Sequence, residues 1–137
     1  MTIRNETVTL WDDGKDRLEL FAVPPEQQYR YVDGQPCITV GVAYENAAFK
    51  GRDVFTVFGG FCEELSERMR TVLHDLNGTF RLYDAGADTD GFLDFTMTRG
   101  RLLVAGRLGA SVSTHSLTFQ FAADQTLLAP LIRILTV

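Results

Sequence analysis

The segment from Phe61 to Leu76 is the feature that most constrains the fold of this chain. Its apolar residues recur at helical spacing, at Phe61, Cys62, Leu65, Met69, Val72, Leu73 and Leu76. This periodicity predicts one amphipathic helix over residues 61–76, which Gly78 ends as a left-handed cap. Because an apolar stripe of this length has to be buried, the helix is expected to lie on an equally apolar sheet face.

Most of the remaining chain alternates apolar and polar residues, which is the pattern of strands with one buried face. The strand-like segments are residues 7–10, 18–22, 38–44, 53–58, 80–83, 93–97, 102–108 and 117–121. Turn residues at Asp12-Asp13-Gly14 and Arg99-Gly100 predict antiparallel neighbours. Asp124 is predicted to cap a short C-terminal helix, in which Pro130 lies either in the first turn or at a kink after a turn from Gln125.

These patterns predict an α+β fold with a bent, mainly antiparallel sheet of about seven or eight strands. One central helix packs on this sheet, and the short C-terminal helix closes one edge. The chain has 137 residues, of which 45% are hydrophobic and 23% are charged, and we expect one domain over residues 1–137. A chain of this length buries about two-thirds of its surface, so its stability requires no disulfide, metal or cofactor.

The charge balance and the termini bear on partners and on location. Eighteen acidic against thirteen basic residues give a net charge of −5, which argues against binding to nucleic acid or to an anionic membrane surface. No apolar run reaches the length of about 18 residues that spans a bilayer, and Met1 to Glu6 lacks the apolar core of a signal peptide. The two isolated cysteines, Cys37 and Cys62, are typical of a reducing compartment, so we expect a cytoplasmic protein.

Residues with reactive side chains form no recognisable catalytic motif. Cys62 belongs to the apolar stripe of the helix and is expected to be a buried thiol. His115 lies among serines and threonines, and it would be catalytic only if an acid converged on it in one cleft. The acid-rich loop between Asp84 and Asp94 does not match the spacing of a calcium loop, because Met97 would occupy the closing acidic position. We therefore predict neither an enzyme nor a metal site.

The second half of the chain carries a longer pattern. A strand ending at Phe58 is followed by a helix with spaced leucines, the sequence Leu76-Asn77-Gly78, and a glycine-containing strand from Leu102 to Leu108. The strand Leu117 to Phe121 then runs into Asp124-Gln125-Thr126-Leu127-Leu128. Over roughly its last 80 residues, the chain resembles the WapI-type immunity proteins and related small bacterial domains.

This resemblance implies a non-enzymatic cytoplasmic protein that neutralises a bacterial toxin domain, often a nuclease, by binding it. An acidic protein suits a basic nuclease partner through electrostatic steering. Asp84, Asp88 and Asp90 are then the candidate residues for partner binding. We predict a structural role for Asp124 as the helix cap.

Two other functions fit the same sequence. A small-molecule binding module would need a cavity between the sheet and the helix, lined by residues such as Phe55, Phe95 and Phe119. A homodimer could form by pairing of edge strands or through the C-terminal helix.

Overall fold

In the computed structural model of the chain, the strands that precede one long helix form one antiparallel sheet, and the strands that follow it form a second. The structure describes residues 7–23, 31–32, 34–85, 91–109 and 115–135. These residues form, in chain order, β1 (Thr7–Asp12), β2 (Arg17–Phe21), β3 (Tyr31–Val32), β4 (Gln35–Glu45), β5 (Lys50–Phe58), α1 (Gly59–Asp75), β6 (Asn77–Tyr83), β7 (Phe92–Thr98), β8 (Arg101–Leu108), β9 (Leu117–Asp124) and α2 (Leu128–Leu135).

Sheet 1 consists of β1 to β5, with β4 at its centre. Strand β4 pairs with β5 along most of its length and with β2 along its second half, β1 pairs with β2, and the two-residue β3 pairs with the start of β4. Sheet 2 has the strand order β6-β7-β8-β9, each antiparallel to the next. The predicted α+β class, with mainly antiparallel strands and two helices, is confirmed. The strands divide into two sheets instead of forming a single bent one, and α1 connects the last strand of sheet 1 to the first strand of sheet 2.

One hydrophobic cluster includes residues from both sheets and both helices. The sheets meet where the ring of Tyr44 on β4 stacks on that of Phe119 on β9, with centroids 4.0 Å apart and planes 2° from parallel. Helix α1 contacts β6, β4, β5 and α2, and its buried residues include Leu65 and Met69. Because α2 is apolar on the side facing α1 and β1, it adds Leu131 and Leu135 to the same core.

Helix α1 begins and ends earlier than its periodicity predicts. It starts at Gly59, so both glycines before Phe61 belong to its first turn, and it ends at Asp75. The prediction of Gly78 as the left-handed cap is wrong, because Leu76 takes that conformation with φ 55° and Gly78 already lies in β6. Strand β6 starts at Asn77, which leaves only Leu76 to reverse the chain. The carbonyl of Leu76 accepts a hydrogen bond from the Gly100 amide at 3.1 Å, which fixes the reversal to the β7–β8 turn.

Glycine is nevertheless required at position 78 for a different reason. Gly78 has φ +131°, a conformation that side-chain-bearing residues rarely adopt. A Cβ atom there would also lie 2.9 Å from Cγ2 of Val72 on α1. The close approach of helix and strand therefore depends on this glycine.

The C-terminal elements follow the predicted order. The carboxylate of Asp124 accepts a hydrogen bond from the Thr126 amide at 2.9 Å, which caps a 3-10 turn at residues 125–127. Helix α2 follows directly, with Pro130 in its first turn. Amides in the first turn have no intrahelical acceptor, so a proline there costs the helix no hydrogen bond. Both alternatives considered for Pro130 are thus partly realised: a turn from Gln125, then a helix with proline near its start.

Candidate protein-interaction surface

The three acidic residues predicted to bind a partner lie in or beside the β6–β7 loop. Asp84 is half-buried, and its Oδ1 accepts a hydrogen bond from the Thr56 amide at 3.0 Å. The Thr56 carbonyl accepts a second bond from the Ala85 amide at 2.8 Å. Asp84 therefore helps to join the end of β6 to β5, a structural contact that sequence reasoning did not foresee. Asp88 and Asp90 lie outside the described residues.

A second carboxylate joins the two sheets, and sequence reasoning missed it. Asp53 on β5 is 4% exposed. Its Oδ1 accepts a hydrogen bond from the Val54 amide at 2.8 Å, and its Oδ2 accepts one from the Gly109 amide, just after β8, at 2.9 Å. The sequence feature that could have revealed this role is the alternation along β5, because it places Asp53 on the same buried face as Phe55 and Val57. A buried carboxylate needs such partners, so Asp53 is part of the fold.

The two thiols are buried, whereas the two imidazoles are exposed. Cys37 and Cys62 are both buried. Burial raises the pKa of Cys37, and it raises the pKa of Cys62 to about 11, so both thiols stay protonated near neutral pH. His74 is exposed beside Asp75, with 3.0 Å between Nδ1 and Oδ1, and His115 is exposed at the start of β9. Among the described residues, no group of three or more His, Cys, Asp or Glu side chains could hold a metal ion.

The rings proposed to line a ligand cavity are buried, and two of them stack on other rings. Phe55 and Phe95 are fully buried, and Phe119 is 8% exposed. The ring of Phe95 stacks on Phe80 at 4.6 Å between centroids, and that of Phe119 stacks on Tyr44. These aromatic side chains are thus part of the hydrophobic core.

The outer surface of sheet 2, here named the β6–β9 face, presents four residues from each of its four strands. Its members follow from the register: Asn77, Thr79, Arg81, Tyr83, Phe92, Asp94, Thr96, Thr98, Arg101, Leu103, Ala105, Arg107, Thr118, Gln120, Ala122 and Asp124. Tyr83 is 41% and Leu103 is 40% exposed. The face contains three arginines, a tyrosine and a phenylalanine, which are residue types enriched in protein interfaces, together with four threonines, two aspartates and two alanines.

Arg81, on the edge strand β6 of this face, is held in place. Arg81 Nη2 donates to Asp94 Oδ2 at 2.7 Å, in a two-bonded pair that also uses Nε. The guanidinium carbon of Arg81 lies 4.3 Å from the centre of the Phe92 ring. An arginine that is already fixed by a carboxylate and a ring loses little further conformational entropy when a partner packs on it.

Helix α1 borders the β6–β9 face on the β6 side. The Phe61 ring lies 4.8 Å from that of Tyr83, and Arg68 Nε donates to the Thr79 carbonyl at 3.0 Å. Glu64 follows Phe61 by three residues and precedes Arg68 by four, so all three lie on the same side of the helix. Glu64 therefore lies next to β6. Glu63 and Glu67, which are also exposed, continue this acidic border on the adjoining side of the helix.

The sheet face alone is smaller than a typical interface. Four strands spaced about 4.8 Å apart, each rising about 3.3 Å per residue over seven residues, span about 19 Å by 23 Å. This is less than the roughly 800 Å² that each partner contributes to a standard interface, so the neighbouring helix surface is needed as well. The candidate site is therefore the sheet face that exposes Tyr83 and Leu103, together with the glutamates of α1 that border it.

Comparisons with known protein families, with characterised proteins and with solved structures gave no match for this chain. The resemblance to WapI-type immunity proteins remains a prediction. No helix in the described part of the chain has the length and the apolar character that crossing a membrane would require.

Proposed function

We propose that this protein is a cytoplasmic immunity protein that binds a bacterial toxin domain and neutralises it without catalysis. The observation that carries the proposal is the exposure of Tyr83 and Leu103 on a sheet face bordered by the acidic side of α1. Exposed apolar and aromatic residues on one sheet face, with charges at its rim, are characteristic of protein-binding surfaces.

The charge of the border defines the kind of partner. Glu63, Glu64 and Glu67 are exposed, and the whole chain carries a net charge of −5. A nuclease domain has a basic groove for its substrate, so its surface potential is complementary to this border. In the proposed complex the immunity protein lies over that groove and excludes nucleic acid. Tyr83 and Leu103 anchor the centre of the contact, and the glutamates accelerate association.

The proposal is tested first by identifying the partner. The gene immediately upstream should encode a long toxin, and the C-terminal domain of that toxin should co-purify with this chain and lose its activity on binding. An upstream gene of unrelated metabolism, together with no co-purification, would remove the basis for an immunity role.

The site itself is tested by substitution. Tyr83→Ala should weaken toxin binding by about 30-fold, the effect expected for a hot-spot residue costing about 2 kcal/mol. Tyr31→Ala is the matched control, because Tyr31 is 69% exposed on β3 in the other sheet. Thermal melts should show that both variants are folded. Equal binding by the two variants would place the interface elsewhere.

The acidic border should act mainly on the rate of association with the toxin. Replacing Glu64 and Glu67 together by Gln should lower the association rate several-fold at low salt, with a smaller effect at high salt. Glu45→Gln, on sheet 1, is the control that preserves the rate. An association rate that does not change for the double variant would exclude electrostatic steering by α1.

A further inference from the structure

Sheet 1 carries a groove on its outer surface, on the side of β4 that faces away from the core. The groove has a volume of about 440 Å³, and its lining includes Arg17, Glu19 and Phe21 of β2, Ala43 and Glu45 of β4, and Lys50 and Arg52 of β5. It exists because the register places the small Ala43 between Glu19 on one neighbouring strand and Arg52 on the other. Long side chains thus form the two walls, and a methyl group forms part of the floor.

One end of the groove is a fixed stack of three residues. The Phe21 ring lies directly over Gly41, where a Cβ atom would come within 2.2 Å of the ring carbon Cε2. The guanidinium carbon of Arg52 lies 4.2 Å from the centre of the same ring. Arg52 is therefore oriented by an aromatic face, and its N–H donors remain available to a ligand.

The basic residues of the groove differ in whether a carboxylate lies next to them. Arg17 forms ion pairs with Asp12 and Glu19. Within the described ranges of the chain, no carboxylate lies within 4.0 Å of the charged nitrogens of Lys50 or Arg52. These two cations alternate with Gly51 on β5, so their side chains project from the same side of the strand, about 6.6 Å apart. The β5 wall is therefore a locally cationic site in a protein of net charge −5.

We infer that this groove binds a small, flat organic anion, either an aromatic carboxylate or an aryl phosphate. Its anionic group would take charged hydrogen bonds from Lys50 and Arg52, and its ring would lie over Ala43 beside Phe21. The volume lies in the range of small-molecule sites, which combine an apolar surface with a few oriented polar groups. This site is on the opposite sheet from the β6–β9 face and is independent of the proposed toxin binding.

Calorimetric titration with four probes of similar size tests the inference. Phenyl phosphate and benzoate should bind saturably, whereas benzyl alcohol and benzylamine should not, because binding depends on negative charge. Saturable binding of the neutral or the cationic probe at the affinity of phenyl phosphate would overturn the inference, as would the absence of binding by both anions at millimolar concentration.

Three substitutions then locate the site. Two of them should weaken the binding of phenyl phosphate, and the third should strengthen it. Arg52→Gln should weaken phenyl phosphate binding by at least about tenfold, the effect of one lost charged hydrogen bond. Ala43→Leu should abolish binding by filling the floor. Glu45→Gln should strengthen it, because Glu45 lies opposite Lys50 in the register and repels an anion.

The control for these variants is Arg101→Gln, which removes an exposed arginine from the β6–β9 face. It should leave phenyl phosphate binding unchanged. An equal loss in Arg101→Gln and Arg52→Gln would show that the anion responds to overall charge and would refute a site in the groove. Unaltered binding by Ala43→Leu, in a variant shown to be folded by its thermal melt, would refute it independently.

Discussion

The hydroxyl of Tyr44 gives the fold a specific sensitivity to alkaline pH. Tyr44 is 2% exposed, its ring stacks on Phe119, and its hydroxyl donates a hydrogen bond to the carboxylate of Asp16. Burial raises the pKa of Tyr44 to about 12, and the bond to Asp16 acts in the same direction. In the unfolded chain a tyrosine has a pKa of about 10.

The sign of the effect follows from these two values. Below pH 10 Tyr44 is neutral in both states, and its contribution to the free energy of unfolding is complete. Between pH 10 and 12 the unfolded chain loses the tyrosine proton while the folded protein retains it, so stability falls as the pH rises. The full difference amounts to about 2.7 kcal/mol, of which about 1.4 kcal/mol is lost by pH 11.

Tyr44→Phe isolates this contribution from all other titrating groups. Near pH 8 the variant should be less stable than the wild type by about 2 kcal/mol, because a hydrogen bond to a charged acceptor is lost. This difference should shrink by about 1.4 kcal/mol at pH 11. Cys62, whose pKa is also raised by burial, titrates in both proteins and therefore cancels in the comparison.

Urea unfolding followed by the fluorescence of the single tryptophan, Trp11, measures these free energies at pH 8 and pH 11. Tyr83→Phe is the matched control, because it removes a hydroxyl from a tyrosine that is 41% exposed on the other sheet. If the difference between the wild type and Tyr44→Phe is the same at both pH values, the argument from burial is refuted.

Three further substitutions test the packing and the polar contacts by the same urea titration. Gly106→Ala should cost about 1 to 3 kcal/mol, because its Cβ would lie 2.4 Å from Cζ of Phe119 in the core. An unchanged midpoint would mean that the ring moves without cost. Asp53→Ala should cost about 2 to 3 kcal/mol by removing the acceptor of the Gly109 amide, and a loss below 0.5 kcal/mol would contradict its role between the sheets. Asp124→Ala should cost about 1 kcal/mol of stability, because Asp124 caps the turn at residues 125–127, whereas a negligible stability loss with a large loss of partner binding would show that this residue of the β6–β9 face acts in the interface and not as the cap.

Short-range patterns in the sequence predicted much of the local structure. Alternation placed Leu18 and Leu20 on a buried side of β2, and helical spacing placed Leu65 and Met69 on the buried side of α1. These predictions succeed because the periods of strand and helix determine which side chains share a face. The Arg99-Gly100 turn formed as expected because both residues adopt positive φ, as a two-residue hairpin requires.

The candidate interface was only partly accessible to the same reasoning. The sequence directed attention to Asp84, but in the structure this carboxylate bonds to the Thr56 amide. The exposed anchors Tyr83 and Leu103 looked like ordinary members of alternating strands. Their proximity to the acidic side of α1 depends on how the helix lies along β6, and no local pattern encodes that arrangement.

By itself, the sequence determined the type of each segment, the buried side of each strand and the cap at Asp124, because these depend on residues a few positions apart. Tertiary structure decided that the strands form two sheets, and it brought Asp84 to Thr56 across 28 residues and Asp53 to Gly109 across 56. It also set the register that puts Ala43 between charged neighbours and so opens the groove on sheet 1. These features arise from pairings between distant segments, whose free energies depend on all the surfaces buried together and not on any one stretch of chain.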